Sequence, residues 1–309
     1  MKWQRHMTRA ALSAAFLSGL SSCAGEAGRP EARAQSGAAQ AAAAQPVAAM
    51  DFRLALDSLA GRHGVQVQWQ GGPYSYSYEW GGGHARDAAE WEIAEFAPVL
   101  IDEVGLYPAD FFRRIGISRI ILARDLWLTQ EGVEQNISGY IFDDALLLSV
   151  SYTYKVNNRD KQRRYLHHLV WHVLDGLRGT MWEDPEWSAL NPDGFEYGVL
   201  TPGGIHDRSA ATGLLSTEYP GFVNRYGTGN VPDDKADLFA YLMVVHHWVE
   251  ERAEADPYLR AKVDTIKQRL AEFDPVFDAS FWERIDAIRR DVTPYVTASA
   301  AGAGGTPAA

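Results

Sequence analysis

Cysteine is almost absent from the sequence: Cys23 is the only one in 309 residues. A lone thiol has no intramolecular partner, so a disulfide framework is excluded and the fold must rest on its apolar core, aided at most by a metal. Long apolar runs are also missing beyond the first 20 residues, and none approaches the ~20 residues that a membrane-spanning helix needs. No internal repeat is visible. Basic residues are outnumbered, 29 Lys and Arg against 40 Asp and Glu, for a formal charge of -11. Because Lys2, Arg5 and Arg9 precede any acid, the rest of the chain is more acidic still. Such a surface repels phosphate backbones, which argues against nucleic acid as a partner and leaves metals, cationic ligands and polypeptide segments open. What is plentiful is hydrophobic side chain, 46 % of the residues, enough to bury one large core or two modest ones.

The three early bases, an apolar run from Ala10 to Leu20 and small residues before Cys23 have the order of an export signal. Leu20-Ser21-Ser22-Cys23 resembles the lipobox of bacterial lipoproteins, which implies a signal over residues 1–22 and lipidation at Cys23. A plain secretory signal with an incidental cysteine is the other reading. Ala24 after the cysteine fits the outer-membrane pattern of that family, so the expected location is a bacterial membrane surface, reached through the lipid anchor. Residues 23–49, rich in Ala, Gln, Gly and Pro, cannot offset the entropy of ordering and are expected to form a tether. Residues 298–309 have the same poverty and are expected to form a frayed tail. One domain is expected over residues 50–297.

Within it, spacing predicts a helix near Phe52 to Arg62, a strand around Val65 to Trp69 and a helix from Ala88 to Val104, followed by a short one after Pro108. Tyr74, Tyr76, Tyr78 and Trp80 alternate as one face of a half-buried hairpin, with a ligand-stacking platform as the alternative. Ile117 to Leu122 and Leu146 to Tyr154 are β-rich, the second apolar enough for a sheet interior, with a loop-rich segment between them. Helical spacing returns over Lys161 to Leu177, Asp233 to Arg252, Tyr258 to Glu272 and Phe281 to Val292; the stretch between Gly179 and Pro232 shows little periodicity. This order predicts an α+β fold.

The helix from Lys161 carries His168 and His172 four residues apart, on one face, where two imidazoles can meet one metal ion. Such pairs also arise as ordinary core residues. The stretch His167-His168-Leu169-Val170-Trp171-His172-Val173-Leu174-Asp175 resembles the H-H-E-x-x-H-x-x-D helix of a family of bacterial zinc-binding metallopeptidases, many of them lipoproteins. That family's Leu-Asn-Pro-x-Gly-Phe-x-Tyr-Gly segment is matched by Leu190 to Gly198. The resemblance covers about Phe96 to Val245. It implies a zincin-like metallopeptidase domain with a small mixed sheet, an active-site helix and C-terminal helices, and Zn²⁺ as the cofactor.

For the third ligand, Asp233, Ala236 and Asp237 fit the order in which glutamate-ligand zincins of the lethal-factor type carry a ligand carboxylate and then a second acid. Acids just after Pro232 also suit any helix N-terminus, so Asp233 is either ligand or cap. The resemblance further implies Asp237 and Asp175 as groups that orient ligating histidines. Tyr226, seven residues before Asp233, matches the tyrosine that donates to an oxyanion in that pattern, although a loop tyrosine is ordinarily packing. His246 and His247 are expected on a surface or between helices.

One residue breaks the pattern. Leu169 stands where the family has its catalytic glutamate, and a leucine accepts no proton. By the general size of acid–base effects the loss costs at least ~10²–10⁴ in rate. The sequence therefore predicts a metal-binding, catalytically impaired chain that holds a peptide or protein segment in its cleft. An active metallohydrolase with a relocated base, Asp234 or Glu196 being examples, is the second reading. A structural or glycan-binding lipoprotein is the third.

Overall fold

The computed structural model describes residues 51–78, 81–130, 133–151, 158–200 and 213–296. The expected signal, tether and tail, together with Cys23 and Trp80, lie outside the described residues.

The chain opens with α1 (Phe52–His63), capped by Asp51 and closed by Gly64 in the left-handed region. Seven strands and two helices follow: β1 (Gln66–Gln68), β2 (Tyr74–Tyr78), β3 (Gly81–Asp87), α2 (Glu90–Val104), α3 (Phe111–Arg114), β4 (Arg119–Gln130), β5 (Val133–Asn136), β6 (Gly139–Phe142) and β7 (Ala145–Ser149). Then come α4 (Arg159–Arg178), α5 (Pro185–Ser188), a 3₁₀ turn (Tyr226–Gly229), α6 (Val231–Val244), α7 (His246–Glu254), α8 (Pro257–Phe273), α9 (Ala279–Asp286) and a last 3₁₀ turn (Thr293–Tyr295). The fold is α+β, as the order of elements predicts.

The sheet is mixed and runs β2-β3-β4-β7-β6, with β1 and β5 also paired to β4. The first half of β4 lies parallel to β1 and β7, its second half antiparallel to β3 and β5. Period-two alternation divides the apolar residues between two cores. Ile120, Leu122, Leu146 and Leu148 face the helices. Ile121, Ala123, Ala145 and Leu147 face a second cluster that holds Tyr76. β7 is buried on both faces, as its apolar run predicts. Strands β5 and β6 form in the segment expected to be loop: a four-residue strand is too short for periodicity to reveal, and register with β4 and β7 decides it.

Although β2 and β6 stand at opposite ends of the strand order, Tyr76 stacks on Tyr140 with ring centroids 4.9 Å apart. The sheet must curl for these ends to meet, helped by the register shift between His84 and Arg86. Gly83 makes room, since a Cβ there would lie 2.1 Å from the Tyr76 phenol. Tyr76 is thus interior, and the aromatic hairpin is not an open stacking platform at that residue.

Helix α6 is buried from Pro232 to Val244, yet it begins with four charged residues. Each is matched. Asp234 accepts from Trp187 Nε1 at 2.8 Å, Tyr197 Oη at 2.7 Å and Lys262 Nζ at 2.7 Å. Lys235 pairs with Asp175 at 2.6 Å and Asp184 at 3.0 Å and donates to the Thr180 carbonyl at 2.8 Å. Asp233 and Asp237 face α4. The helix expected to run unbroken to Arg252 ends instead at Val244, and Val245 leaves helical geometry. Arg290 receives the break: its guanidinium donates to the carbonyls of Met243 and Val244 and to buried Glu103. His246 then joins α7 to α9, stacked on Trp282 and paired with Asp286 at 3.2 Å.

No helix among the described residues is long and apolar enough to cross a membrane.

Burial would raise the Asp184 carboxyl, but donors from Arg269, the Trp187 backbone and Lys235 hold it down at about 2. A depressed carboxyl stabilises the fold above its ordinary pKa and loses that contribution as pH falls toward the folded value. The thermal midpoint should therefore drop between about pH 4 and pH 2. Asp184→Asn should be less stable than the parent at neutral pH and show a shallower acid limb in the same melting series; an unchanged limb would refute the assignment.

Candidate metal centre

Helix α4 is fixed at both ends, by Asn158, whose side chain accepts from the Lys161 N–H at 2.8 Å, and by Gly179 in the left-handed region. At helical spacing His168 and His172 then project together toward α6. On α6, Asn230 caps the helix by accepting from the Asp233 N–H at 2.8 Å, while its own amide donates to Asp233 Oδ2 at 2.7 Å. Asparagine takes the cap, so Asp233 turns its other oxygen to the histidines. His168 Nε2 lies 3.5 Å and His172 Nε2 3.6 Å from Asp233 Oδ1, and the two imidazole nitrogens are 2.9 Å apart. Among the described residues this is the group of three whose potential ligand atoms all fall within 4.8 Å of one another.

The donor set fits zinc. A tetrahedral ion with metal–ligand lengths of about 2.0–2.2 Å separates its ligands by about 3.3 Å, close to the two histidine–carboxylate spacings. The imidazoles would spread by about 0.4 Å. Ligand type agrees as well, two imidazoles and one carboxylate leaving a fourth position open.

Electrostatics oppose and compensate one another at this point. Burial by itself would drive His168 down, but Asp233 and Asp237 raise it above its ordinary pKa. Burial and then the charge of His168 lower His172. Burial would raise Asp233, yet hydrogen bonds from His168 and His172 hold it far below the carboxylate range. With the two imidazole nitrogens 2.9 Å apart, one must donate to the other, so the metal-free group carries a proton in the place where a cation would sit.

Behind this group, Asp237 Oδ1 accepts from His168 Nδ1 at 2.7 Å. A carboxylate only accepts, so His168 is protonated at Nδ1 and turns Nε2 to the site. Tyr226 lies beside it, ring centroid 6.3 Å from that of His168, its phenol raised by burial and by the Asp233 charge. Tyr165 stacks on the His168 ring at 5.1 Å and 12°. The sequence offers a signal for Tyr165 and Arg164, which stand three and four residues before His168 and so share its face; Asn224 and Asn230 lie in a stretch without periodicity and left none.

Other expected residues fall elsewhere. Asp175 does not orient a ligating histidine: its oxygens are taken by Lys235 and by the Thr180 hydroxyl, at 2.7 Å for the latter. His167 points to α2, donating from Nε2 to Glu103 at 2.8 Å and accepting from Tyr107 Oη at 2.6 Å. Asp234 is committed to Trp187, Tyr197 and Lys262, and Glu196 is exposed. Leu169 is 4 % exposed and belongs to the main core. It packs with Tyr165 on β6 where Gly139 allows close approach; a Cβ there would meet Leu169 at 2.8 Å and Tyr165 at 3.2 Å.

No protein-family model matches the chain, and no curated protein is significantly similar to it. Among solved structures it is similar to a protein of Bacteroides caccae described as a candidate zinc-binding metallo-peptidase. The identity is 14 % over 80 % of this chain and 96 % of that one, with a TM-score of 0.49.

Zinc added to metal-free protein should raise the melting temperature and release protons, because the ion replaces the proton that the group holds. His172→Ala should abolish both effects in calorimetry at fixed pH; retention of the full zinc response would sink the assignment.

Proposed function

We propose that this chain is a zinc-metallopeptidase-like lipoprotein that has kept the metal frame and lost the base. His168, His172 and Asp233 would hold Zn²⁺, which when bound supplies a Lewis acid at its open position. His168 and His172 act as neutral nitrogen donors, and Asp233 brings the negative charge. Asp237 keeps the proton of His168 on Nδ1. The Tyr226 hydroxyl is the group beside the site that can donate to an oxygen of a bound ligand.

One observation carries the impaired reading: the turn that should present a carboxylate presents Leu169, packed on Gly139 in the core. Among the described residues, the carboxylates in contact with the histidines are Asp233 and Asp237, and both are already engaged. This disfavours a relocated base. The burial of Tyr76 under Tyr140 likewise disfavours a glycan platform on the hairpin.

With turnover blocked, the cleft would serve to hold a peptide or protein segment. The domain over residues 50–297 would stand off a bacterial membrane, the outer one by the Ala24 cue, on a tether from lipidated Cys23.

Zinc-loaded parent protein should cleave a mixed peptide pool at or near background, and Leu169→Glu should raise the rate by at least ~10²-fold. Parent cleavage that His168→Ala abolishes and Leu169→Glu fails to improve would overturn the proposal.

A further inference from the structure

Asp237 is the junction of three buried hydrogen bonds from two parts of the chain. Its Oδ1 accepts from His168 Nδ1 and from Arg164 Nη1, each at 2.7 Å. Its Oδ2 accepts from Asn224 Nδ2 at 2.7 Å. Arg164 and His168 are one turn apart on α4, while Asn224 belongs to the loop that leads into the Tyr226 turn. Asn224 uses its other end too, its Oδ1 accepting from the Gly227 N–H at 2.9 Å. The two ends fix the orientation of the amide, since only nitrogen can donate to Asp237 and only oxygen can accept from Gly227. Arg164 is held in turn by the Tyr241 ring, its guanidinium carbon 5.2 Å from the centroid.

We infer that Arg164 and Asn224 are positioning residues that make the His168 ligand and the Tyr226 turn one rigid unit through Asp237. A buried carboxylate with a single imidazole donor could rotate, or could take a proton and bond either nitrogen. Three donors leave one orientation: Oδ1 shared by Arg164 and His168, Oδ2 on Asn224. His168 is then fixed with Nε2 toward His172 and Asp233, and the backbone next to Tyr226 is tied to the same anchor. Groups that orient a ligating histidine in this way typically carry a 10–100-fold share of metal affinity. Zinc binding at His168 belongs to the function proposed above, whereas the ring orientation stands without it.

The test uses the full chain, zinc alone as ligand, and two readouts. In metal-free protein, long-range proton–nitrogen spectra of the histidine rings should show His168 protonated at Nδ1. Arg164→Met and Asn224→Leu should lose that single tautomer, and Arg164→Lys should retain it. By competition with a chromophoric chelator, the first two variants should bind zinc about 10–100-fold more weakly, with Arg164→Lys nearer the parent. Trp187→Phe, which removes a donor from Asp234 and touches neither histidine, should lose stability and keep both properties. Folded Arg164→Met with the parent's tautomer would overturn the inference, as would its having the parent's zinc affinity. If the parent binds no zinc, the metal reading fails, and the ring spectra decide the positioning role by themselves.

Discussion

The burial of four charges in the first two turns of α6 is the constraint around which this structure is arranged. An unpaired ion in a protein interior costs several kcal/mol, so each of Asp233, Asp234, Lys235 and Asp237 must meet its counterpart at close range. Those counterparts come from α4, from α5 and the loops around it, and from α8. Pairing Lys235 with Asp175 and Asp184 holds α6 against the end of α4 and the start of α5. Lys262 and Tyr197 on Asp234 draw in α8 and the segment after Asn191. The register of α6 on α4 follows, and with it the meeting of Asp233 with two imidazoles.

This arrangement does not depend on the residue that follows His168. The geometry of His168, His172 and Asp233 rests on the caps of α4 and α6 and on the bonds to Asp237, none of which includes Leu169. A leucine at that turn adds apolar contact with Gly139 and leaves the ligand frame standing. In the function proposed above, holding the ion and moving the proton would be separable because they depend on different neighbours.

Some of this was legible in residues. The i, i+4 spacing of His168 and His172 fixes a shared face, and the period-two and 3.6 patterns located most helices and the β7 strand. Asp237 could be read as a partner of that face only with the resemblance in hand. Asp175 shows the limit of such carry-over: in the sequence nothing distinguishes an acid that orients a histidine from one that neutralises Lys235. The same holds for Asp233, where cap and ligand are equal readings in the sequence; in the structure Asn230 occupies the cap and Asp233 faces both imidazoles. His167 and His168 are adjacent and chemically identical, yet one belongs to a buried Glu103–Tyr107 network and the other to the site.

The sequence alone determined which groups exist and which local faces they share, because helical and strand periodicity are properties of neighbours a few residues apart. It determined that no proton acceptor follows His168, and that one cysteine cannot crosslink the fold. Only the tertiary structure decided which acid meets which base. Distances between α4, α6 and α8 depend on the packing of side chains 28 to 94 residues apart, and a buried charge selects its partner by that geometry. Curling of the sheet, which takes Tyr76 from the face of a half-buried hairpin into core, was decided in the same way.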